Sequence, residues 1–75
     1  MEKEIKEIIA QIIGVTEEQI DVKASFQDDY GLDSLKALEI LAAVENKINI
    51  VIEPSKLSEM TNVENVIRIA KECMS

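Results

Sequence analysis

Ile5, Ile8, Ile9, Ile12 and Ile13 recur at spacings of three and four, which sets them on one face of a helix, with Glu2, Lys3, Glu4, Lys6, Glu7 and Gln11 filling the rest. Gly14 follows at once and suits the left-handed residue that ends a helix. Thr16 and Gln19 have the spacing of a capping box, which predicts one short helical turn inside a longer loop. From Asp21 to Leu32 the periodicity fails. Asp28, Asp29 and Gly31 are interspersed there with the apolar anchors Val22, Phe26, Tyr30 and Leu32, the pattern of a long loop pinned to a core.

Asp33 stands where an N-cap belongs, ahead of Leu35, Leu38, Ile40, Leu41, Ala42, Val44 and Ile48, which cover a wide arc of a helix running to about Lys47. Ile50-Val51-Ile52 could form a short strand, but with no convincing partner strand it reads as a loop lying on the core. Glu53-Pro54-Ser55 opens a short helix through Met60, because proline suits a first helical turn. Thr61-Asn62-Val63-Glu64 has a second capping-box spacing before a last stripe of Val63, Val66, Ile67, Ala70 and Cys73. The expected fold class is all-α: a single domain over residues 1–75, a small bundle of three main helices plus one short helix, with a long loop between the first and second main helices.

Composition narrows what such a bundle does. Aromatic residues make up only 3% of the chain against 47% hydrophobic residues, so the core must be aliphatic. A domain of this size buries only about 60% of its unfolded surface, which leaves little room for a large catalytic cleft. There is no histidine, and therefore no Ser-His-Asp triad, no Cys-His dyad and almost no route to a zinc site. One cysteine permits no internal disulfide, and together with a start methionine and no basic segment leading into a long apolar stretch it implies a reducing cytoplasm and no export signal. The apolar run Ile40 to Val44 is far too short to insert in a membrane. A net charge of −7 repels nucleic acid and anionic lipid, and favours partners with basic patches.

Ser34 is the residue best placed for chemistry. It falls at the first position of the helix that Asp33 caps, approached by the loop Asp28-Asp29-Tyr30-Gly31. A phosphate ester formed there would be stabilised by the free amides and the positive end of the helix dipole. The same residues also serve as an ordinary helix cap.

Taken with its surroundings, Gly31-Leu32-Asp33-Ser34-Leu35 resembles the attachment motif of the acyl carrier proteins and their peptidyl carrier relatives. Glu39, Phe26, the acidic pair Asp28-Asp29 and the Thr61-Asn62-Val63 opening of the last helix are similar too, as are length, acidity and helix order. The resemblance implies a carrier, not an enzyme. A phosphopantetheinyl transferase would join the 4′-phosphopantetheine of coenzyme A to Ser34, and the arm's thiol, rather than Cys73, would hold acyl intermediates as thioesters for acyl-transferring and synthase enzymes in fatty-acid, polyketide or related biosynthesis. It also implies a monomer whose docking surface is the helix after Ser34, with Asp33, Leu35, Lys36, Glu39, Ala42 and Glu45 meeting basic docking patches. Leu41, Ile52, Leu57 and Met60 would line the space for the acyl chain.

Two positions depart from the family. Lys36 stands where fatty-acid carriers commonly have an acid, and Asn46-Lys47 replaces an acidic cluster. Both give weight to a specialised lipid, polyketide or peptide pathway. A peptidyl or aminoacyl carrier of a nonribosomal pathway, and an acidic helical interaction module with no covalent arm, are the alternative readings.

Overall fold

The computed structural model describes residues 1–74. Helix α1 spans Glu2–Ile13, α2 spans Ser34–Ile48 and α3 spans Val63–Met74; a 3-10 turn covers Glu17–Gln19 and a short 3-10 helix covers Pro54–Glu59. No strand occurs among the described residues, and Ile50 to Ile52 is loop. The all-helical architecture is therefore the expected one. Both α1 and the short helix touch α2 and α3, and so bridge those two helices.

The core is aliphatic apart from Phe26. Ile5, Ile9, Ile40, Val44, Val63, Val66, Ile69 and Ala70 have no solvent exposure at all. Of the isoleucine face on α1, Ile5 and Ile9 are buried and Ile12 and Ile13 pack partly against the core, whereas Ile8 is half-exposed and stays outside it. At about 100° per residue, Ile8 falls on the edge of the arc centred on Ile5 and Ile9. Gly14 ends α1 in the left-handed conformation at φ 90°, and both its amide and that of Val15 donate to the Ala10 carbonyl. The reciprocal bonds between Thr16 and Gln19 complete the capping box on the following turn.

Helix α2 divides its wide apolar arc in two. Ile40, Leu41 and Val44 face the core, but Leu35 is 70% and Leu38 47% exposed, and Ala42 is exposed as well. The spacing of Leu35, Leu38 and Ala42 makes them one outward stripe.

The long loop is fastened to the start of α3 by its own backbone. The Phe26 amide donates to the Thr61 carbonyl, and the Glu64 amide to the Val22 carbonyl, each at 2.9 Å. Inside the loop the Tyr30 hydroxyl accepts the Asp21 amide at 3.1 Å, while the Ser25 amide donates to Asp29 Oδ2 at 2.7 Å. Gly31 turns the chain into α2 at φ +66°, where a side chain would be strained.

The cap of α3 sits one residue later than the Thr61 spacing implies. Asn62 is the capping residue, with its Oδ1 accepting the Asn65 amide at 2.8 Å, and Thr61 Oγ1 instead accepts from the Asn65 side chain at 2.9 Å. The Thr61 carbonyl is committed to the loop at Phe26, so the helix begins after it. Asn62→Ala is expected to lower stability by about 1 kcal/mol. Thr61→Ala should cost clearly less, and chemical denaturation of both variants checks the order.

Candidate functional site

The junction of loop and α2 places Ser34 in solvent. Asp33 holds the N-cap: its Oδ1 accepts the Lys36 amide at 3.0 Å, and its carbonyl accepts the Ala37 amide at 3.1 Å. Among the described residues the amides of Ser34 and Leu35 have no acceptor, as the first turn of any helix must leave some of its donors. Among the described residues the Ser34 hydroxyl has no hydrogen-bond partner. An exposed alcohol stands beside unpaired N–H groups at the positive end of a helix, an environment that favours an added phosphate.

Ser34 lies on the rim of an open groove of about 700 Å³. One wall comes from the loop and the first turn of α2, through Phe26, Leu32 and Ala37; the other comes from the short helix, through Pro54, Leu57 and Ser58. Met60 and Leu57 are both on this lining, Met60 buried and Leu57 half-buried. Leu41 and Ile52 are buried in the core and do not line the groove. The pocket residues named from sequence are thus split between a groove and the packing behind it.

The expected docking residues fare differently from one another. Leu35, Lys36, Glu39 and Ala42 share the exposed side of α2, with Lys36 Nζ 3.5 Å from Glu39 Oε2. Glu45 is half-buried, and its Oε2 accepts the Ile52 amide at 2.8 Å. Lys36 and Lys47 balance Glu39 and Glu45, so α2 carries no net charge, while Glu17, Glu18, Asp21, Asp28, Asp29 and Asp33 crowd the loop before it with only Lys23 against them. The acidity of the chain is a property of that loop.

The family model described as the phosphopantetheine attachment site matches residues 3–69 of this chain. The chain belongs to the acyl carrier protein family. It is 37% identical over 70 residues to the polyketide-8 synthase acyl carrier protein 1 of Streptomyces avermitilis, covering 93% of this chain and 83% of that one. It is 33% identical over 70 residues to the acyl carrier protein of Petrotoga mobilis, covering 93% and 82%. A solved structure titled "The ishigamide ketosynthase/chain length factor" contains a chain that superposes with a TM-score of 0.77 at 35% identity, covering 96% of this chain and 90% of that one.

A carrier of this family works with 4′-phosphopantetheine in biosynthesis, and the site fits that group. The unpaired amides of Ser34 and Leu35 in the first turn can receive a phosphate, and the groove beside Ser34 is lined by both apolar and hydroxyl-bearing side chains, which suits an arm that has both methylene and amide portions. When bound, the arm supplies a thiol that holds an acyl group as a reactive thioester. Residues not singled out in the sequence lie on this groove and beside it. Pro54 and Ser58 join it only because the short helix folds back towards α2, and Leu38, read only as part of the wide apolar arc of α2, is exposed on the same stripe as Leu35 and Ala42. No helix among the described residues is long and apolar enough to cross a membrane.

Proposed function

We propose that Ser34 is the attachment residue, and that this carrier presents acyl intermediates to synthase enzymes of a polyketide or related fatty-acid pathway. The observation that carries the reading is the Ser34 hydroxyl itself, exposed, unbonded and set on the rim of the groove at the first position of α2. A phosphopantetheinyl transferase delivers the arm from coenzyme A: the Ser34 oxygen attacks the phosphorus of the β-phosphate, the pyrophosphate bond breaks, and 3′,5′-adenosine diphosphate leaves as a phosphodiester forms. The transferase provides the base. The carrier has no histidine and acts as cargo bearer rather than catalyst, as a cytoplasmic monomer.

Docking follows the distribution of charge. Basic patches on partners meet the acidic loop at Asp28 and Asp33, and an apolar surface meets Leu35, Leu38 and Ala42. Lys36 and Glu39 lie between them as an exposed ion pair that orients more than it binds. Leu57 and Met60 floor the place where the acyl chain rests, with Leu41 and Ile52 packed behind. The relative named as a polyketide synthase acyl carrier protein and the solved structure titled for a ketosynthase support partners of the ketosynthase kind.

The direct test is incubation of the folded chain with coenzyme A and a broad-specificity phosphopantetheinyl transferase, followed by intact mass and by fragment mapping of the product. The expected result is one phosphopantetheine per chain, located on Ser34. A chain that gains no mass, or gains it on another residue, sinks the proposal.

A further inference from the structure

Glu45 does something other than meet partners. Its main-chain carbonyl accepts the amides of Asn49 and Ile50, closing the end of α2, and its side-chain Oε2 accepts the Ile52 amide at 2.8 Å. Ile52 is only 2% exposed, and the short helix whose Pro54, Leu57 and Ser58 form one wall of the groove begins two residues later. Among the described residues two polar links hold this wall segment to the long helices. One is the Glu45 to Ile52 bond to α2; the other is the Glu59 to Arg68 ion pair to α3, at 3.5 Å between groups that are both about half exposed. An exposed ion pair contributes little, whereas a charged acceptor in a half-buried bond is among the stronger single links a small domain has.

We propose that Glu45 is a positioning residue for the cargo groove, a latch between α2 and the wall segment that sets how the short helix lies against Ser34's side of the bundle and hence which acyl chains seat there. The carboxylate holds the N-terminal root of the wall in place, buried Met60 holds the other end, and the weak Glu59 to Arg68 contact leaves the span between them free to adjust to cargo. The inference rests on the carrier reading only for the identity of what lies in the groove; the latch itself is a property of the unmodified chain.

Amide hydrogen exchange and methyl NMR on the full chain separate the two. In the unmodified protein, Glu45→Ala is expected to speed exchange of the Ile52 amide by on the order of ten- to a hundred-fold. Glu45→Gln, which keeps an acceptor oxygen, should stay within about threefold of wild type, and this holds the test open if the alanine variant folds poorly. After loading with octanoyl-phosphopantetheine, the methyl shifts of Leu57 and Met60 should move in the wild type and in Glu45→Gln, and the change should fall by at least half in Glu45→Ala at temperatures where it remains folded. Unchanged Ile52 exchange in Glu45→Ala, equal cargo shifts in all three chains, or no cargo shift in the loaded wild type each overturns the proposal. Failure of the chain to load at all is seen separately by mass and counts against the Ser34 reading, in which case the Ile52 exchange alone decides whether the latch exists.

Discussion

Ser34→Ala is expected to reduce phosphopantetheine loading to an undetectable level while leaving the fold intact. On the proposed attachment the hydroxyl oxygen is the atom that forms the new phosphodiester, so its removal deletes a reactant rather than weakening a contact. The fold should not notice. Ser34 is exposed at the first helical position, its hydroxyl has no partner, and alanine is a good helix former, so the change in stability should lie within about 0.5 kcal/mol. Asp33→Ala makes the informative contrast. It removes the side chain that caps the Lys36 amide, which should cost about 1 kcal/mol, yet the acceptor oxygen remains and loading should slow without stopping. Intact mass over time and thermal melting of the three chains read both quantities. A Ser34→Ala chain that loads at the wild-type rate would place the arm on another serine, with Ser25, Ser55 and Ser58 the ones that share the groove.

What could be read in the sequence and what could not divides along physical lines. The helices were legible because a strong apolar stripe and a stop residue coincide, as at Ile5 to Gly14, and because Asp33 both ends a polar loop and precedes an apolar run. The cap of α3 was misplaced by one residue because Thr61 and Asn62 can each cap a helix, and only the bond from Phe26 to the Thr61 carbonyl shows which of them lies outside it. Helix α2 was ambiguous for a different reason. An arc as wide as Leu35 to Ile48 fits a central helix and also a helix with two apolar faces, and periodicity alone does not tell them apart. Ser34 was visible as a local motif, but the groove was not, since its walls come from segments that are distant along the chain. Glu45 looked like a surface acid for the same reason: its acceptor role depends on the chain doubling back after Asn49, which turns at φ 55° to bring Ile52 within reach.

Helix α2 is neutral by composition although the chain has a net charge of −7. Of the acids on α2, Glu39 is paired with Lys36 and Glu45 accepts the Ile52 amide, and Lys36 and Lys47 balance the two acids in the charge of the helix. The excess acid lies in the loop that leads to Ser34, with Asp28, Asp29 and Asp33 nearest to it in the chain. On the docking proposed above, a partner would meet charge first and apolar surface second, an order suited to rapid encounter followed by a short-range fit.

The stability of so small a bundle should depend on a few isoleucines, and α1 offers two neighbours that ought to behave oppositely. Ile9→Ala is expected to cost about 3 kcal/mol, within the usual 2 to 5 kcal/mol for truncating a fully buried isoleucine, because Ile9 has no exposure and α1 touches both α2 and α3. A chain of 75 residues has roughly 4 to 11 kcal/mol of stability in total, so the loss is a large fraction of it and corresponds to about 12 to 24 °C in melting temperature. Ile8→Ala, one position earlier, removes the same atoms from a half-exposed side chain outside the core, and alanine improves the local helix propensity. Its cost should stay below about 1 kcal/mol. Thermal and denaturant melts of the two variants give the comparison directly, and similar losses in both would mean that the α1 face is turned by a residue from the packing described. Because α1 contributes nothing to the Ser34 rim or the groove lining, loading of Ile9→Ala should track its folded fraction: normal well below its midpoint and lost above it.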